Sequence, residues 1–183
     1  MGRLLAFWRW PWMRCRSMAS VSPNVDREGF ALYTGEVGGS NHLHGTKPET
    51  VGVAPADSPA GQEAWIYEKF QSKTDDDGLA DDAISIEDML GAISLYWFTN
   101  SAASSGRIYW ENGSRTFAGP KLTLPVAVTV FPRDIPRRPR SWIEGTYTNL
   151  IHYGEADKGG HFATLEQPET LVSESSAGLR TLR

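Results

Sequence analysis

Lys121-Leu122-Thr123-Leu124-Pro125-Val126-Ala127-Val128-Thr129-Val130-Phe131 decides the fold class. The run is almost continuously apolar and β-branched, without the polar alternation of a strand that faces water on one side. It predicts a strand buried on both faces, as in a parallel sheet. Asn149-Leu150-Ile151-His152-Tyr153 predicts a second, shorter strand, and Arg140 to Glu144 between them a short helical turn. The tail from Pro168 predicts a helix, which Glu174-Ser175-Ser176-Ala177-Gly178 weakens. Strand, helix, strand, helix is an α/β pattern. Two strands alone leave edges and faces uncovered, so the pattern reads as part of something larger.

Upstream the signals are helical. Asp57-Ser58-Pro59 offers a capping hydroxyl followed by a proline at the first helical position, where its missing N–H costs nothing. Ala60 to Phe70 then presents a broad apolar face through Ala60, Ala64, Trp65, Ile66 and Tyr67. Lys73 to Asp82 is rich in aspartate and reads as a solvated loop. Ser85-Ile86-Glu87-Asp88 resembles a capping box with a short final acid. It opens a helix over Ile86–Phe98, and a third helix runs to about Trp110. Asn112 to Pro120 is a turn-rich break.

Composition narrows the function. The chain has 183 residues, 40% of them hydrophobic and 22% charged, with a formal net charge of −4. These values suit a soluble domain with a core. The one basic cluster, Arg137-Arg138-Pro139-Arg140, reads as a solvated turn, so nucleic acid is not an expected partner. A lone cysteine, Cys15, cannot form an internal disulfide, and a cytoplasmic location is expected. The first 25 residues read as an unstructured segment. Their apolar run is broken by Arg9, Pro11 and Arg14, so it is too short to span a bilayer. His42 and His44 form an H-x-H pair with no acid or cysteine beside it, a weak metal signal.

Two segments could carry chemistry. In Gly159-Gly160-His161-Phe162 a pair of glycines follows a strand and precedes a histidine. Glycines there permit a tight turn and expose the imidazole at the strand's C-terminal edge, where open α/β sheets place their sites. An ordinary loop histidine fits the same residues. In Phe131-Pro132-Arg133-Asp134 an acid lies just past the first strand, placed to orient a histidine on the next strand's loop. A helix cap or an arginine partner fits Asp134 as well. The order acid, then histidine, is that of the α/β-hydrolase arrangement.

Together with Thr46-Lys47-Pro48-Glu49-Thr50, Asp57-Ser58-Pro59, Ala64 to Phe70 and Arg107-Ile108-Tyr109-Trp110-Glu111, these segments resemble one family. It is the epoxide hydrolases of α/β-hydrolase fold, in the microsomal-type branch that includes fungal members. The resemblance runs from about Asp26 to the end. It implies a fold of helical lid, last two parallel strands and C-terminal helix. The implied chemistry opens an epoxide through an aspartyl ester, which water then hydrolyses to a vicinal diol. Epoxide and water are the implied reactants, and no metal or organic cofactor is implied. His161 matches the general base and Asp134 the acid that orients it. Tyr109 matches one of two lid tyrosines that stabilise the developing alkoxide. Without the resemblance, Tyr109 would read as an ordinary residue of an amphipathic helix.

The implied organisation is a non-homologous segment over 1–25, a lid over 26–112 and the C-terminal part of the core over 113–183. Two features depart from the family pattern. The first lid tyrosine belongs six residues before Thr46, where this chain has Ser40, with Tyr33 further upstream. No Gly-x-Asp-x-Gly elbow, which would carry the nucleophile, occurs in the 183 residues. The chain alone is therefore expected to be inactive, weakly stable and prone to self-association through its sheet edge. The alternative is a non-catalytic remnant or interaction subunit that pairs with a chain supplying the missing strands. An ester or halide hydrolase of the same fold is disfavoured by the Tyr109 motif.

Overall fold

A computed structural model describes residues 38–112, 122–135, 137–180 and 182. The readings of residues 1–25, of Cys15 and of Tyr33 lie outside these residues, as does all but Asn112 of the break read over Asn112 to Pro120.

Helices come first: α1 (Gly39–Thr46), α2 (Pro48–Asp57), α3 (Pro59–Lys73), a 3₁₀ turn (Ala80–Asp82), α4 (Ile86–Phe98) and α5 (Ala102–Asn112). An α/β segment follows: β1 (Val126–Val130), α6 (Arg140–Thr146), β2 (Leu150–Glu155), α7 (Ala163–Glu166) and α8 (Pro168–Arg180). The expected caps form. Ser58 Oγ accepts from Gly61 N at 3.4 Å, and Pro59 occupies the first turn of α3. Ser85 Oγ accepts from Asp88 N at 3.1 Å. The short Asp88 carboxylate turns to the Ser85 hydroxyl, at 2.7 Å, instead of the backbone N–H that a glutamate would reach.

Neither α1 nor α2 is announced by its sequence, because both carry helix breakers. Pro48 is harmless at the start of α2, whereas Pro55 sits inside it and is buried. Packing sustains α2: a Cβ at Gly52 would lie 2.5 Å from Ala103 Cβ, so only glycine lets α2 approach α5 this closely.

β1 and β2 pair in parallel, Val128 opposite Tyr153 and Val130 opposite Glu155, with a register shift between Val126 and Ala127. Among the described residues the sheet has these two strands. This is a partial α/β-hydrolase fold beneath a helical lid. β1 is shorter than its sequence suggests. Leu122 makes only an isolated bridge to Tyr147, because Pro125, with no N–H to give, separates it from the ladder. Nor is β1 buried on both faces: Ala127 is exposed and the rest is half-buried. Its apolar run suits a central strand, but among the described residues β2 is its one partner strand, with α8 packed against the pair.

The core lies elsewhere. Phe70, Ala80, Ile84 and Met89 form a buried cluster with Ile66, Tyr67, Ala92 and Phe162 packed against it. Phe162, which directly follows His161, meets Phe70 of α3 with ring centroids 4.6 Å apart. Burial of these rings therefore fixes the loop after β2 to the lid.

Candidate active site

Parallel strands end on one side, so the loops after β1 and β2 meet. Arg133 bridges to Gly160, with Arg133 N donating to Gly159 O at 3.0 Å. This brings Asp134 and His161, 27 residues apart, to 2.8 Å between Oδ1 and Nδ1. A carboxylate accepts, so Nδ1 carries the proton and Nε2 keeps the lone pair. Asp134 Oδ1 also accepts from Ile135 N at 2.8 Å, which fixes the carboxylate itself.

The glycines perform as their sequence suggests. Gly159 has φ +118°, a conformation that L side chains rarely adopt, and a Cβ there would lie 2.8 Å from the Phe131 ring. A Cβ at Gly160 would lie 2.6 Å from Lys73 O.

Four consecutive backbone N–H groups of this loop are bonded. Gly159 N donates to Asp75 Oδ2 at 2.8 Å, and His161 N donates to Lys73 O at 3.0 Å. Gly160 N and Phe162 N donate to the two oxygens of Glu166, each at 2.8 Å. Glu166 Oε2 accepts from Asp75 N as well, at 2.8 Å. Asp75 pairs with Arg133 at 3.3 Å. Thus Glu166, buried within α7, and the chain just after α3 clasp the histidine from both sides. Sequence reasoning missed Glu166 and Asp75. Their contacts reach back as far as 91 residues, and each reads locally as an ordinary solvated acid.

Above the histidine lies a cavity of about 440 Å³ between the lid helices and the loop. His161, Tyr109 and Ser40 all line it, with Trp65, Phe70 and Tyr96 among its walls. The three residues come from α5, α1 and the loop after β2. Asp134 stands behind His161 and is not part of the lining. Ser40 lines the cavity from α1, and Tyr33 is outside the described residues. Lys69 and Lys73 also reach the cavity. Burial lowers the pKa of each. For Lys69 the neighbouring Lys73 lowers it further, and for Lys73 the Asp134 charge partly opposes the fall. Lys69 also lies over the Trp65 ring at 4.6 Å.

A carboxylate and an imidazole on the loops after adjacent parallel strands, with a helical roof over the imidazole, match the acid and histidine positions of the α/β-hydrolase fold. Relatives agree. The chain is 55% identical over 141 residues to a Stigmatella aurantiaca protein assigned to the epoxide hydrolases, covering 77% of this chain and 32% of that protein. It is 38% identical over 170 residues to epoxide hydrolase 1 of Oryctolagus cuniculus, covering 87% and 37% respectively. Aspergillus niger epoxide hydrolase superposes with a TM-score of 0.75 at 28% identity, covering 100% of this chain and 45% of that one. The juvenile hormone epoxide hydrolase of Bombyx mori gives 0.74 at 29% identity, over 84% and 39%. No family model matches.

Over these stretches the chain is a homologue of epoxide hydrolases of α/β-hydrolase fold. It spans about a third of the length of the curated relatives it matches.

Proposed function

We propose that this chain carries the lid and the water-activating half of an epoxide hydrolase, with the nucleophile supplied from outside these 183 residues. The observation that supports this reading is the 2.8 Å pair of His161 and Asp134 opening into the cavity that Tyr109 also lines. In the proposed reaction a carboxylate oxygen attacks an epoxide carbon and the ring C–O bond breaks. Tyr109 donates its proton to the departing oxygen. His161 Nε2 then takes a proton from water, and the hydroxide attacks the ester carbonyl. Release of the diol restores the carboxylate, and the imidazolium proton returns to the tyrosinate through solvent. The net change is epoxide plus water to vicinal diol. Asp134 holds the Nδ1–H tautomer and stabilises the imidazolium.

The lid over 26–112, the core part over 113–183 and a cytoplasmic location belong to the same proposal. No described helix is long and apolar enough to cross a membrane. By itself the chain is proposed to be inactive, because its sequence holds no Gly-x-Asp-x-Gly elbow. The exposed edge of β1 supports pairing with strands from elsewhere, whether from a longer product of the same gene or from a partner chain. The test is a chimera in which residues 38–183 replace the matched stretch of the Stigmatella aurantiaca relative. Diol formation from 1,2-epoxyhexane by the chimera, and none by the chain alone, is the expected result. A folded chimera with no activity overturns the proposal.

A further inference from the structure

His44 is a cavity residue that the reaction above does not use. It stands on α1 one turn after Ser40, so the two share a helix face, and both line the cavity. Its ring stacks on Tyr109 with centroids 5.2 Å apart and an interplanar angle of 29°. Trp65 meets it edge-on at 5.1 Å. α5 leaves room for it: a Cβ at Gly106 would lie 3.0 Å from His44 Cδ2 and 3.4 Å from Nε2. Aromatic rings and a glycine thus hold the imidazole, and among the described residues none accepts or donates a hydrogen bond to its nitrogens.

Burial favours the neutral ring, and the ammonium groups of Lys69 and Lys73 favour it further. A neutral imidazole carries one N–H, and here no described residue takes it up. Tyr109 is its stacking neighbour, so the phenol and the N–H belong to one wall of one cavity. Two donors converging on one oxygen is the arrangement that stabilises developing negative charge.

We infer that His44 is a second donor to the epoxide oxygen, acting beside Tyr109. This rests on the epoxide reading of the cavity. The ligand it selects is a neutral small molecule with an unhindered ether oxygen. Ser40, on the same face, is too short to take that place, since its hydroxyl stands one bond beyond Cβ.

The test uses the chain itself, labelled with ¹⁵N, and needs no turnover. The probes are 1,2-epoxyhexane and butylcyclopropane, the same molecule with CH₂ in place of the ring oxygen. Long-range ¹H–¹⁵N spectra report the His44 nitrogens. The expected result is that the epoxide binds and moves the His44 N–H nitrogen, while the cyclopropane leaves it in place and binds roughly a hundredfold more weakly, the worth of two hydrogen bonds, one from Tyr109 and one from His44. H44F should cut that preference roughly tenfold, leaving the share that Tyr109 supplies, and H44Q, which keeps an N–H, should retain it. Binding of the epoxide with no shift at His44, or an equal shift from both probes, overturns the inference and leaves the epoxide reading standing. Failure of the folded wild-type chain to bind either probe overturns the inference, and the activity of the chimera decides the epoxide reading separately.

Discussion

With its Nδ1–H held by Asp134 at 2.8 Å, the His161 ring keeps its basic nitrogen on the far side from the carboxylate. Asn at 134 can present its amide N–H to the ring and favour the opposite tautomer. In the chimera D134N is therefore expected to cut diol formation about a hundredfold or more, with an unchanged far-UV spectrum. Y109F removes the donor to the alkoxide and should slow ring opening by about 10² to 10³. Single-turnover decay of the epoxide checks this, and a change under threefold would contradict the role. Gly159 is a conformational position: Ala must adopt φ +118° against the Phe131 ring, so G159A should cost about 1–3 kcal/mol in denaturant melts. His161 and Asp134 were legible in the sequence because glycines and strand ends advertise a site. The structure brings the two within 2.8 Å of each other, and Arg133 next door pairs with Asp75. Tyr109 was legible only through the family motif, and His44 only once α1 and α5 were packed together.

At the scale of elements, the helices with clean caps were readable and those held by packing were not. α3 and α4 begin at Ser58 and Ser85 as their side chains dictate, whereas α1 and α2 exist because Gly52 and Gly106 let α5 come close. The same logic hid the clasp on the loop that carries His161. Glu166 accepts from three backbone N–H groups, so E166A strands all of them and E166Q keeps an acceptor for only some. The expected order of melting temperatures is wild type, then E166Q, then E166A, the last about 3 kcal/mol or more below wild type. α8 docks on the sheet through Glu174, whose Oε2 meets His152 Nε2 at 2.8 Å and Thr129 Oγ1 at 3.2 Å. A Cβ at Gly154 would overlap that carboxylate, so the strand leaves space for it. The His152 hydrogen bond, aided by Thr129, lowers the Glu174 pKa below its ordinary 4.5. A depressed carboxylate stabilises the fold above its unfolded pKa. That stability should fade as pH falls below about 4.5 toward the lower folded value, and E174Q should flatten this part of the stability–pH curve.

The whole molecule shows where the sequence pattern and the described fold part. β1 is built for a central position, yet among the described residues its second edge has no partner strand. Leu124 is 69% exposed just before it, and Val172 of α8 is 65% exposed. The exposed apolar surface and open edge predict self-association of the chain alone, visible as concentration-dependent sedimentation, and a broad thermal transition. A sharp, concentration-independent melt of a monomer would contradict this. Within the chimera the same surface should be covered and the melt sharpened.

The proposed reaction divides the labour: Tyr109 would open the ring, and His161 would activate the water that hydrolyses the ester. Mass spectrometry of the H161Q chimera after mixing with excess 1,2-epoxyhexane tests it most directly. The expected result is close to one covalent hydroxyalkyl adduct per chain on a carboxylate, formed at nearly the unsubstituted rate and released as diol at least a hundredfold more slowly. Diol release from H161Q at the unsubstituted rate, with no adduct, would contradict it.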